Sequence, residues 1–257
     1  MPLVRVRRVP SRATGAPSSG GAAAAAAAAQ EHWWTSAVFW GNLGAVAAWG
    51  MTGSAIYDAV SAGPELISLK MTGVLIVYSS LFARWAWVVR PQNLPLMVCH
   101  MANVLAQCNQ LRRAFEAKFN AGGDEAKEAE AWAGRMAGGA LGGAAIIAAG
   151  PTLQAAVVGA NMGPLSAFAA AEAGPFTVHF WAPMSKWFIS GASMLELDRP
   201  TDKISLAQYS ALTMTGLFFT RYSLLVKPLN LNLAAVNACL FLSSAWHLGR
   251  KVKADYL

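Results

Sequence analysis

Apolar residues run along this chain in seven long blocks, 39–59, 71–89, 94–111, 136–160, 176–195, 206–226 and 231–248, separated by short polar stretches. A hydrocarbon layer about 30 Å thick takes roughly 20 apolar residues per helix. Each block is therefore read as a membrane-crossing helix, the second interrupted by Arg84 and the sixth by Arg221. The stretches between them carry helix-stopping chemistry: Ala62-Gly63-Pro64, Arg90-Pro91-Gln92-Asn93 and Asp198-Arg199-Pro200. Proline ends or redirects a helix at each point. Residues 116–135 form the one long polar segment, with Gly122-Gly123 followed by Asp124, Glu125, Lys127, Glu128 and Glu130, and read as a solvated linker or surface helix.

The blocks repeat. Arg84-Trp85-x-x-x-Val89-Arg90-Pro91-x-Asn93-Leu94 recurs at one constant offset as Arg221-Tyr222-x-x-x-Val226-Lys227-Pro228-x-Asn230-Leu231. Upstream, Phe39-Trp40 and Trp49-x-x-x-Gly53 have counterparts in Phe180-Trp181 and Trp187-x-x-x-Gly191, with an offset that drifts by a few residues. Self-similarity of this kind marks a duplicated supersecondary unit, here of three helices. Two such units in direct succession would lie antiparallel in a membrane, and one extra crossing makes them parallel. Block 136–160 is long enough to supply it, with Gly134, Gly138 and Gly142 forming a small-residue ridge for close packing and Pro151 tolerated within it, or else reads as a flexible Ala/Gly linker outside the membrane. The basic loops holding Arg90 and Lys227 then share one side with the basic N-terminal tail, opposite Asp58, Glu65, Asp198 and Asp202. The C-terminal Arg250, Lys251 and Lys253 fall on the other side.

Composition sharpens this picture. Of 257 residues 55% are hydrophobic and only 13% charged, and the mean hydropathy is +0.38, which argues for a membrane protein over a soluble one. Ten tryptophans suit headgroup-level anchoring, Trp33, Trp34 and Trp132 equally suiting amphipathic surface segments. Arg5, Arg7, Arg8 and Arg12 precede the first acid, Glu31, in a Ser- and Ala-containing start that reads as an organellar targeting segment or a basic tail, with the 22–29 alanine run as low-complexity filler. Cys99, Cys108 and Cys239 show neither metal nor disulfide spacing. No nucleotide, zinc-protease or nucleophile-elbow signature is present. The expectation is a chain that is not an enzyme and has no cofactor, no metal site and no nucleic-acid partner. Its segments are 1–35 (basic, targeting), 36–115 (first half), 116–172 (linker) and 173–257 (second half).

Ionisable groups at mid-membrane are costly and therefore informative. Lys186 lies mid-block in Phe180-Trp181-Ala182-Pro183-Met184-Ser185-Lys186-Trp187. It reads either as a carboxylate anchor or as one partner of a structural pair. His100, Asn103 and Gln107 share one helical face, suited to proton exchange and to binding a substrate oxygen, or to hydrogen bonds between helices. The repeat aligns His100 with Asn237 and Lys186 with Ala48, so pseudo-symmetry brings these positions together at the seam of the halves. Tyr78 and Phe82 share a face and read as core or cavity lining. Arg84 and Arg221 read as interface residues meeting headgroups or loop acids, and His32, His179 and His247 as ordinary helix-end histidines.

Several motifs carry a resemblance. Residues 49–58, Pro64-Glu65-Leu66-Ile67-Ser68, Tyr78-Ser79, Arg90-Pro91-Gln92-Asn93 and Cys99-His100-Met101-Ala102-Asn103 resemble the first subunit of the mitochondrial pyruvate carrier family. Phe180-Trp181-Ala182-Pro183, Lys186-Trp187, Arg221-Tyr222-Ser223-Leu224 and Ala235-Val236-Asn237 resemble the second. The resemblance implies an all-α membrane protein of two three-helix halves, distantly related to the small sugar transporters, in the mitochondrial inner membrane. With block 136–160 as the extra crossing, which has no counterpart in the family, the fold reads as two parallel three-helix bundles joined by a linker helix (3+1+3). The resemblance also implies proton-coupled import of pyruvate by a single self-sufficient chain, with an additional carrier subunit as a possible partner. By the same resemblance Lys186 would attract the carboxylate, Asn237 would hydrogen-bond it, His100 would contact substrate and couple protons, and Phe82 would line the cavity. Two departures bear on affinity: Ala48 stands where the family's first subunit has Asn, and Phe219 where the second commonly has Trp. A facilitator of a neutral solute such as a sugar, and a non-transporting membrane scaffold, are the alternatives.

Overall fold

A computed structural model of the chain describes residues 32–257 apart from 62, 65, 66, 196 and 205. The basic tail and Glu65 therefore lie outside the described residues. Residues 32–36 form a unit of their own. It is a 3-10 turn, Trp33–Thr35, closed by the Thr35 hydroxyl donating to the His32 carbonyl, with His32 stacked on Trp34 at 4.3 Å.

The remainder is helical: α1 (Ala37–Ser61), α2 (Leu69–Val88), α3 (Leu94–Ala121), α4 (Gly123–Gly159), α5 (Pro164–Ala170), α6 (Val178–Leu195), α7 (Leu206–Ser223) and α8 (Leu231–Tyr256). The repeat predicts their pairing. In the first half α1 and α2 both pack on α3, and in the second α6 and α7 both pack on α8. Across the seam α1 lies against α7 and α2 against α6, the reciprocal contact that a two-fold relation requires.

The starts of α3 and α8 explain why the motif recurs. Asn93 caps α3, its Oδ1 accepting from Leu96 N at 3.0 Å while its Nδ2 donates to the Gly41 carbonyl on α1 at 3.0 Å. Asn230 does the same for α8, accepting from Leu233 N at 2.9 Å and donating to the His179 carbonyl on α6 at 2.6 Å. One Asn thus satisfies an orphan helix-end donor and ties two helices together. The preceding loops meet across the seam as well: Arg90 N donates to Lys227 O at 2.9 Å and Lys227 N to Arg90 O at 2.8 Å, a two-bond antiparallel bridge made by backbone alone. Gly41 and His179 match at the offset that also relates Trp49 to Trp187, so this pairing, and not that of Phe39-Trp40 with Phe180-Trp181, registers the first helices.

The core lies at the seam, where α1 offers small residues to aromatic ones. Ala45 is fully buried, and a Cβ at Gly44 would meet the Phe219 ring at 2.8 Å, one at Gly41 the Tyr222 ring at 2.8 Å. Trp85, Ala86, Val89, Leu96, Val226 and Val236 complete this cluster.

Three expectations change. Among the described residues only α2, α4 and α8 combine the length and apolarity of a membrane span; α1, α3, α6 and α7 are long enough but too polar, α3 through its amides, α6 through His179 and Lys186, and α7 through Gln208 and Arg221. The polar segment is helical and mostly exposed, as a surface helix is, but it is divided between two helices. It ends α3 and begins α4, with Lys118 bridging the turn to Glu125 and to Glu128 at 2.7 Å. The glycine ridge of α4 has no neighbour: nothing lies within 4 Å of a Cβ at Gly134, Gly138 or Gly142, and none of its most apolar window is buried. Pro151 sits within α4, whose far end folds onto α5 through Gln154 to the Ala169 carbonyl (2.9 Å) and Ser166 to the Val157 carbonyl (2.7 Å).

Candidate functional site

Helix α6 carries Lys186 to the seam, where 5% of the residue is exposed. Its Nζ donates to Asn237 Oδ1 on α8 at 2.5 Å. The ammonium also lies over two rings, Phe219 of α7 at 5.4 Å and Phe82 of α2 at 5.9 Å, within cation–π range. An ammonium has three N–H donors, and one meets a conventional acceptor here. No carboxylate pairs with Lys186 among the described residues.

Asn237 is oriented from its own helix: Nδ2 donates to the Leu233 carbonyl at 2.7 Å, which points Oδ1 at Lys186 and leaves the second amide N–H unused. His100 of α3 is stacked on the Phe82 ring at 5.3 Å and edge-on to Tyr78 at 5.4 Å. Lys186, Asn237, Phe82 and His100 therefore surround one point between the halves. Tyr78 and Phe82, whose spacing suits core and cavity alike, belong to this lining.

Asn103 is buried but stands one turn further along α3. It donates to Ser79 Oγ at 2.7 Å and accepts from Gln107 Nε2 at 3.4 Å, so it braces α3 against α2 and does not touch Lys186 or Asn237. Arg84 and Arg221 are exposed, without an acidic partner among the described residues. Phe219 was legible as the repeat counterpart of Phe82, yet stands out from sequence only as a departure from the family. Ala48 is buried in the same aromatic cluster, so the seam has no amide at that position. Among the described residues no group of three or more His, Cys, Asp and Glu is placed to hold a metal ion.

Two surface cavities lie elsewhere. One of about 680 Å³ runs along the C-terminal end of α8 beside Trp246 and Arg250, and one of about 510 Å³ lies at the Arg90–Lys227 bridge. Neither is lined by Lys186, His100 or Asn237, which are 5%, 6% and 0% exposed.

An all-helical chain whose duplicated halves meet on a buried polar seam is organised as internal-repeat membrane transporters are. The chain belongs to the family of mitochondrial pyruvate carriers, whose sequence model matches residues 23–137 and again 163–257. It is thus a tandem fusion of two carrier-like halves, and the apolar part of α4 falls between the matched stretches. Curated relatives align with about a third of the chain each. Mitochondrial pyruvate carrier 4 of Arabidopsis thaliana is 44% identical over 84 residues, 33% of this chain and 78% of that protein. Mitochondrial pyruvate carrier 2 of Saccharomyces cerevisiae is 48% identical over 79 residues, 31% and 61%. The human mitochondrial pyruvate carrier 2 is 40% identical over 88 residues, 32% and 69%. No solved structure matches the chain.

Proposed function

We propose that this single chain carries pyruvate together with a proton across the mitochondrial inner membrane, by alternating access between its two halves. The observation that carries the reading is Lys186: an ammonium buried at the seam, held by one amide and two aromatic faces, with donors to spare for a carboxylate. Such a group binds a small monocarboxylate by charge-assisted hydrogen bonds. The free Asn237 N–H is placed for a second oxygen. His100, stacked on the Phe82 ring that also faces Lys186, is the group whose imidazole takes up and releases the proton.

A proton makes physical sense. Moving an uncompensated anion against a potential costs about 2.3 kcal/mol per 100 mV, and co-transport neutralises the cargo. In this reading the buried arrangement of Lys186, His100 and Asn237 is an occluded state. Opening at the end where Arg90 meets Lys227 requires those two backbone hydrogen bonds to break as the halves rock apart.

Helix α4 supports a 3+1+3 arrangement in which the halves lie parallel. Its apolar residues Leu141, Ile146 and Ile147 are 74%, 68% and 79% exposed. Exposed to water, such surface is penalised by about 25 cal/mol per Å²; acyl chains would cover it. The single chain would then need no second subunit.

Uptake of labelled pyruvate into liposomes holding the purified chain, with and without an inward proton gradient, tests the reading. Gradient-stimulated uptake is expected, and Lys186→Ala lowers it at least about thirty-fold, the equivalent of about 2 kcal/mol for a lost buried charge contact. Folded protein that takes up no pyruvate under either condition overturns it.

A further inference from the structure

The cavity of about 510 Å³ at the Arg90–Lys227 bridge is lined by Val88, Arg90, Glu172, His179, Lys227 and Pro228. It draws on both halves: Val88 and Arg90 come from the first, and the other four from the second half and the segment leading into it. Arg90 and Lys227 are joined through backbone atoms, so their side chains play no part in the bridge. Both side chains are exposed, and neither forms an ion pair among the described residues.

His179 stands differently from an ordinary helix-end histidine. Its carbonyl is held by Asn230, while its Nδ1 is buried and has no hydrogen-bond partner. It is the second residue of α6, where unsatisfied backbone N–H groups add positive potential. Arg84 and Glu172 lie close enough for their charges to act on it. The lining thus holds two cations against one carboxylate, together with an imidazole whose buried Nδ1 lacks a hydrogen-bond partner. That net charge suits a monoanion better than a phosphate.

The position is as telling as the charge. Seven residues, two turns and about 10 Å along one face of α6 separate His179 from Lys186. We propose that this cavity is a second binding site, for a small carboxylate, held by the Arg90 and Lys227 side chains and hydrogen-bonded by His179. It captures the anion on the outer side of the bridge and delivers it to Lys186 when the bridge opens. The identity of the anion as transported cargo rests on the function proposed above; binding at the cavity does not.

Saturation-transfer NMR on the full chain in nanodiscs of neutral phosphatidylcholine, with pyruvate and acetate as separate probes, reads the site directly. Lys186→Ala is expected to retain a signal from both probes. Adding Arg90→Gln and Lys227→Gln to that background reduces the signal about ten-fold, in line with loss of an electrostatic capture site. No signal in Lys186→Ala, or a signal that the added substitutions leave unchanged, overturns the site. Nanodiscs containing anionic phosphatidylglycerol are expected to give the same result. Loss of the signal there would mean that the cavity takes a lipid phosphate, which also overturns it.

In liposomes, Arg90→Gln with Lys227→Gln on the otherwise native chain raises the KM for uptake about ten-fold at low ionic strength and leaves the saturated rate within about two-fold. A drop in the saturated rate at unchanged KM contradicts a capture role. Should the native chain carry no pyruvate at all, the acetate signal still reports on this cavity, so the two ideas fail separately.

Discussion

Set side by side, the two halves agree at one end and part company further in. Both start their third helix on an Asn that caps it and reaches the first helix, Asn93 to Gly41 and Asn230 to His179, and both place an aromatic residue at the seam, Phe82 and Phe219. Two turns beyond the capping Asn, the first half has His100 and the second Asn237. The first half has Ala48 on its first helix where the second has Lys186, and Ser79 on its second helix where the second half has Gly216. Backbone-directed residues keep the symmetry because they build the same frame twice. Side chains facing the central point break it, and under the proposed function that difference gives a carboxylate and a proton separate partners.

The sharpest way to erase that asymmetry is His100→Asn, which gives both halves the same residue. Gradient-stimulated pyruvate uptake should fall about a hundred-fold, the usual contribution of a positioned proton-transfer group, while uptake without a gradient persists; stimulation unchanged by the substitution would remove His100 from proton coupling.

Gly216 and Ser79 differ for steric reasons. A Cβ at Gly216 would lie 2.5 Å from the Phe241 backbone nitrogen and 2.7 Å from its Cα, atoms that cannot rotate away. Gly216→Ala is expected to destabilise the chain by about 3 kcal/mol, a fall of roughly 10 °C in the melting temperature measured in detergent. Ser79→Ala loses only the hydrogen bond from Asn103, about 1 kcal/mol. Equal shifts for the two would show that α7 and α8 cross no more closely than α2 and α3.

At the seam itself, Gly44→Ala would drive a methyl group into the Phe219 ring, at a cost of about 1 to 3 kcal/mol. Phe219→Leu should recover part of it, and a double-mutant cycle reads that coupling; additive losses would place the two residues apart. Smallest and most even are the caps: Asn93→Ala and Asn230→Ala should each cost about 1 to 2 kcal/mol. A large inequality in melting temperature between these two would break the pseudo-symmetry where it is most exact in geometry.

Much of this was legible beforehand. All seven apolar blocks correspond to helices, because a run of about 20 apolar residues ended by proline or a capping Asn leaves few other options for the backbone. The repeat motif announced the paired loops, and the alignment of His100 with Asn237 pointed to the seam. The polar segment 116–135 reads as a solvated linker or surface helix, and its charges hide that it is shared between two helices. A helical Lys118 reaching Glu125 and Glu128 across a Gly122-Gly123 turn is a relation between helices that no local pattern displays. The glycine ridge of α4 misled in the opposite direction, since small residues permit close packing without supplying a partner.

Hydrophobic length, helix-stopping residues and an internal duplication, all local or periodic properties, determined by themselves that this chain is helical, membrane-suited and built twice. Only the tertiary structure decided which polar residues meet. Lys186 and Asn237 are 51 positions apart, and nothing in their spacing makes them neighbours. Contact between them follows from the packing of α6 on α8, and enclosure of the pair from the reciprocal packing of α1 on α7 and α2 on α6. It likewise set Asn103 against Ser79 of α2, brought Phe219 over the ammonium, and left the His179 Nδ1 without a hydrogen-bond partner. Periodicity states which face of a helix a residue occupies; only the crossing of helices determines what that face meets.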